Sequence, residues 1–350
     1  MEENLPVEQP ETVSAHDCAN CGKPALEGDY PTALCKDCRD HFSRLSVPPW
    51  IMVFAAGIGV ILVFSLFTFP KNIALGVHLE RGKNAMEKGN YYTAEKELRK
   101  ALEKFPDNVE ANGNLIIASF YNQDYETMAK LVKKLESVNI EDKALYSHIS
   151  ETLEKADRYF PGDSINAFMK DHPRPADIDD SDWANYLGRN PEDCYAMMTY
   201  ASAVFDKKDY VRCDSILQRV LKVDDTYFTA LLLETSVKRE LGDMEASLGY
   251  ARRILAVNHE SAYGMATEAR TLLRLKKDQP ALELALRANS LRPNVIYIEA
   301  SLVLAYHFNG RAGDRDALLK SARSQVADST DREAMQYVQD VMDHKEKFRD

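Results

Sequence analysis

Glycine and proline are scarce, 15 and 14 among 350 residues, so the chain is neither collagen-like nor a low-complexity polymer. Val- and Ile-rich alternating runs are nearly missing after residue 70, which argues against a sandwich or a barrel. No stretch is strongly basic and the formal net charge is −11, so no nucleic-acid partner is expected. The motifs that announce chemistry are missing as well: there is no G-x-S-x-G, no H-E-x-x-H, no phosphate-binding glycine loop and no dinucleotide fingerprint. The acidic run from Asp177 to Asp182 fails as a calcium loop. Asp182 stands where that loop needs Gly, and Gly188 where it needs Glu. These absences speak against an enzyme and against a small-molecule substrate.

What is present is unevenly spread. The first 49 residues hold 4 basic and 9 acidic side chains, residues 50–69 hold no charge, and the rest is densely charged. Residues 1–15, rich in Glu and Pro, read as a disordered tail. Four of the six cysteines then fall between Cys18 and Cys38, as two C-x-x-C pairs: Cys18 with Cys21 and Cys35 with Cys38. Each pair can present two thiolates on one tight turn, and four thiolates fill a tetrahedral zinc site. Gly22 supplies the positive φ that such a turn needs. Residues 16–48 therefore resemble a zinc ribbon or a short treble-clef finger, with structural Zn2+ on Cys18, Cys21, Cys35 and Cys38. Two disulfides or a redox pair are the competing readings, but a redox C-x-x-C normally opens a helix in a βαβ fold, and none is visible here.

Residues 50–69 run from Trp50 to Phe69 without a charge, bracketed by Pro49 and Pro70. Twenty helical residues measure about 30 Å, the thickness of a bilayer core. The expectation is a transmembrane helix in contact with lipid, making an integral, single-pass membrane protein. Basic residues flanking the run do not decide its orientation. Thiolate zinc needs a reducing compartment, which would put the N-terminus in the cytoplasm and the rest of the chain outside or in a periplasm.

An internal period organises the remainder. Gly82, Ala85, Gly89, Tyr91, Ala94, Leu98, Ala101 and Pro106 fill the eight diagnostic slots of one repeat, and Tyr91 recurs as Tyr125 after 34 residues. Further on, Asp225, His259 and Pro293 keep the same step, as do Tyr210 and Met244. The pattern resembles the tetratricopeptide repeat (TPR), whose unit is a 34-residue helix pair. The resemblance implies an all-α fold: an α-solenoid of TPR helix pairs behind the small zinc knuckle and the one transmembrane helix. Two repeats are expected over 75–142 and four over 194–325. Between them, 143–193 breaks the register as a degenerate repeat or linker. A capping helix is expected over 329–345, opened by a capping box from Thr330 to Glu333.

The resemblance also implies that first helices line a concave wall that binds proteins or peptides. The concave-facing slots hold Tyr195, Tyr263 and Tyr297, with Met198, Phe205, Arg270, Arg274 and His307. Such a ladder of aromatic rings and guanidinium groups can stack on and hydrogen-bond an extended peptide. It can equally serve as packing between neighbouring first helices. The function expected is a membrane-anchored scaffold or adaptor, in the assembly of an envelope or membrane complex. The alternative is a signal transducer that couples the groove to a partner on the zinc knuckle.

Overall fold

The sequence period becomes backbone geometry at the turn inside each helix pair. In the computed structural model, Gly89, Gln123, Lys208, Gly242, Lys276 and Gly310 all adopt positive φ, between 57° and 83°. The first two lie 34 residues apart and the last four follow one another at the same interval. A left-handed residue closes each first helix and lets the second fold back along it. Where the next residue but none is aspartate, it caps the returning helix: Asp124, Asp209 and Asp243 each accept a bond from a backbone N–H three residues on.

The structure describes residues 17–24, 31–43, 47–170 and 174–349, with the backbone alone over 65–72. The tail expected over 1–15 lies outside the described residues. Among these, every regular element is helical. The first unit, up to Pro70, holds the cysteine cluster and α1 (Lys36–Ser43). Helix α2 (Pro49–Glu87) carries the chain into the second unit, which begins at Lys71.

In that second unit the end of α2 pairs with α3 (Tyr91–Lys104), and α4 (Val109–Tyr121) pairs with α5 (Tyr125–Leu135). Then come α6 (Lys143–Asp157), the short α7 (Asp163–Met169), a 3-10 turn over Pro175–Asp177, and α8 (Asp180–Arg189). Four more pairs follow: α9 (Cys194–Asp206) with α10 (Tyr210–Val223), α11 (Phe228–Glu240) with α12 (Met244–Val257), α13 (Ala262–Arg274) with α14 (Asp278–Leu291), and α15 (Ile296–Phe308) with α16 (Ala312–Gln325). Helix α17 (Ser329–Met342) closes the series. The all-helical repeat architecture implied by the resemblance is thus found.

Small residues set how closely the paired helices approach. A Cβ added at Gly82 would sit 2.8 Å from Leu98 Cγ, so glycine there is a packing requirement. On the facing helix Ala94, Leu98 and Ala101 are buried along one stripe. Over 143–193 an aromatic stack joins the aliphatic core. Trp183 of α8 is fully buried, stacked on Tyr200 at 5.2 Å and edge-on to Phe168.

The early pairs also clasp the later ones, end to loop. Tyr159 stacks on Tyr227 at 4.0 Å, and its hydroxyl accepts from the Phe228 backbone N–H at 2.7 Å. Asn258 donates to Tyr121 O at 3.0 Å, and the His259 N–H donates to Gly89 O at 2.9 Å. Glu260 accepts from both the backbone N–H and the hydroxyl of Thr93, each at 2.7 Å. Arg292 reaches Asn122 O at 2.6 Å. Asp224, Asn258 and Arg292 occupy the same place in successive repeats, and each bonds to an earlier segment, Asp224 accepting from Arg158 at 3.3 Å.

Two expectations are corrected. Among the described residues no helix is long and apolar enough to cross a membrane, so the integral, single-pass protein expected from residues 50–69 is not what the structure supports. Side chains 65–69 lie outside the described residues. The cytoplasmic N-terminus, the repeats across the membrane and the lipid contact all rested on that span. The second correction is local: α17 is capped by Asp328, which accepts from the Asp331 N–H at 2.9 Å, and not by a box opening at Thr330.

Candidate functional site

Two places gather side chains capable of specific chemistry. The first is the cysteine cluster. The backbone curls at Gly22, with φ of 66°, and the Gly22 N–H bonds back to Cys18 O at 3.0 Å. The Ala19 N–H bonds to Ala33 O at 2.8 Å, tying the first knuckle to the second. Helix α1 begins at Lys36, so Cys35 sits at its entrance and Cys38 in its first turn.

The four sulfurs lie within 4.8 Å of one another, and Cys21 Sγ is 3.6 Å from Cys35 Sγ. That separation is far beyond the roughly 2.05 Å of a disulfide. It is close to the roughly 3.8 Å edge of a tetrahedron with 2.3 Å metal–sulfur bonds. The Cys35 backbone N–H, first among its backbone partners, brings the Cys18 thiol down to about 6. The set Cys18, Cys21, Cys35 and Cys38 therefore fits a metal ion. Cys194 and Cys213, by contrast, are buried free thiols, pushed up by burial to about 11 and about 12.

The second place is a cavity of about 400 Å³ lined by first helices of successive pairs. Phe205 of α9, Arg270 and Arg274 of α13 and Tyr297 of α15 meet there. Tyr263 is next to it, stacked on Tyr297 with centroids 5.9 Å apart and edge-on to Phe228. The Arg270 guanidinium lies over the Tyr297 ring at 4.5 Å. Tyr195 and Met198 stand apart, half-buried against the core around α9 and α10. His307 lines a separate cavity beside the C-terminal residues, where burial and the nearby Arg315 hold its imidazole below the usual range.

The slot rule that picked Arg270 and Arg274 also points to Arg239, which the sequence reading passed over. No repeat signal marked the C-terminal segment, which follows the last helix. It closes one side of the cavity: Phe348 is buried, stacked on Phe308 at 5.1 Å and beneath Arg274 at 5.0 Å. Arg349 forks onto Asp278 and donates to Leu273 O at 2.8 Å.

No protein-family model and no curated protein matches the chain. Among solved structures it is similar to MamA, 16% identical over 53% of this chain and 98% of that one, with a TM-score of 0.36. It is also similar to PilF of Pseudomonas aeruginosa, 12% identical over 77% and 99% of the two chains, TM-score 0.33. A tetratricopeptide repeat protein from Parabacteroides merdae is 12% identical over 76% and 99%, TM-score 0.39. At scores this low the likeness carries no argument. The helix-pair architecture rests on the period and packing of this chain itself.

Proposed function

We propose that this chain is a non-catalytic scaffold whose repeats hold an extended segment of a partner protein along their first helices. The observation that supports it is the convergence of Phe205, Arg270, Arg274 and Tyr297, from three different first helices, on one open cavity. Aromatic faces and guanidinium forks supply contact area and directed donors without reacting atoms. We further infer that the four cysteines hold zinc, on the fit of their spacing to a tetrahedron of thiolates. Such an ion would be structural, because the protein fills every coordination position.

The groove is tested by a photoreactive residue placed in the full chain at Phe205, on the cavity, or at Val211, which is 71% exposed on α10. Crosslinks to the same protein partner are expected from position 205 and not from 211. Equal crosslinking from both would mean that the first helices are not the binding face.

A further inference from the structure

Deepening the groove reading, on which it rests, we propose that the cavity beside the C-terminal segment binds the carboxylate of an acidic side chain within an extended peptide. Three arginines converge there: Arg239 from α11, with Arg270 and Arg274 from α13. Arg239 is only 6% exposed, yet among the described residues its guanidinium forms no ion pair with a carboxylate. It donates to Ser236 Oγ at 2.8 Å, Thr267 Oγ1 at 3.0 Å and Thr271 Oγ1 at 3.4 Å. A guanidinium keeps its proton inside a protein, so among the described residues this buried charge hydrogen-bonds only neutral hydroxyls. Burial, with Arg270 close by, holds its pKa below the ordinary value.

Arg270 is no better neutralised. Its Nε donates to Ser301 Oγ at 2.7 Å and its plane rests on the Tyr297 ring. Only Arg274 has an acid, Glu240 at 2.6 Å. Glu346 lines the same cavity and forms no ion pair with these arginines among the described residues. Among the described residues the buried Tyr297 hydroxyl has no hydrogen-bond partner.

The donors thus outnumber the acceptors, and the guanidinium forks suit the two oxygens of a carboxylate. A free inorganic anion would match the charge but would leave most of a 400 Å³ cavity empty. Tyr337 and Phe348, which line the same cavity, provide apolar surface for the residues on either side of an acid in a peptide.

The test is fluorescence anisotropy on the full chain with a labelled octapeptide of alternating Glu and Tyr, against its Gln and Tyr counterpart. The Glu peptide is expected to bind about tenfold tighter, with a preference that weakens as salt rises. Arg270→Gln should bring the two affinities together while leaving the melting temperature unchanged. Arg239→Gln removes the buried charge but risks the fold, so the half-exposed Arg270 carries the test. Equal binding of both peptides overturns the carboxylate site and leaves the groove standing. Failure of both to bind also overturns it, while the Phe205 crosslinks judge the groove independently. Displacement of the Glu peptide by millimolar inorganic phosphate would overturn the peptide as the source of the anion.

Discussion

Glu234 is fully buried in α11, and its chemistry is set by what surrounds it. Gln218 donates to Oε1 at 2.7 Å, Lys238 stands 3.6 Å away, and Oε2 has no partner. Burial first, and the neighbouring Asp214 next, push the carboxyl from 4.5 up to about 8. Between those values the folded chain holds a proton that the unfolded chain releases. This group therefore makes stability fall as pH rises from about 4.5 to about 8. Glu234→Gln keeps the shape and removes the titration. Its urea midpoint should lose less than the wild-type midpoint between mildly acidic and mildly alkaline buffer. Parallel losses in both proteins would place the titrating group elsewhere. Periodicity marks residue 234 as belonging to a first helix, but not that its carboxyl is sealed in by α10 and α12.

At the scale of elements, the cysteine knuckle and α1 depend on each other. Helix α1 has eight residues and none buried apart from what the cluster anchors, and an isolated helix this short is marginal in water. With zinc bound, Cys35 and Cys38 pin its start. Cys18→Ser in the full chain is expected to lower metal content from about one zinc per chain to near none. Elemental analysis of the purified protein measures this. Full zinc in that variant would mean the metal is held elsewhere. Here the sequence was sufficient to group the ligands, because C-x-x-C spacing alone places two sulfurs on one turn. It did not foretell the element at the other end, where Phe348 and Arg349 dock against α13, α14 and α15 without any repeat signature.

For the molecule as a whole, the repeats after Lys71 are joined by more than chain order. Tyr159 carries much of the seam, stacking on Tyr227 and accepting from the Phe228 N–H. Tyr159 is half-buried, so Tyr159→Ala should cost somewhat less than the ~3–5 kcal/mol of a fully buried ring. It should also speed hydrogen exchange at the His259 amide, which bonds to Gly89 across the seam. Urea unfolding with exchange read by mass spectrometry checks both. An unchanged His259 rate would show that the remaining polar bonds hold the two sets of pairs together unaided.

By itself the sequence determined the helix pairs, because a turn that repeats every 34 residues with small residues at close approaches has few alternatives to a helical repeat. It also determined the cysteine cluster, since ligand spacing is a local property. The tertiary structure decided what lies far apart in the chain yet meets in space. That includes the clasp of residues 224, 258 and 292 onto earlier turns, the buried Arg239 without an acid, and the C-terminal segment against the cavity. That no helix among the described residues is long and apolar enough to cross a membrane likewise corrected the reading of 50–69 as a membrane span. Each of these depends on which surfaces meet, and a periodic pattern specifies faces without specifying what covers them.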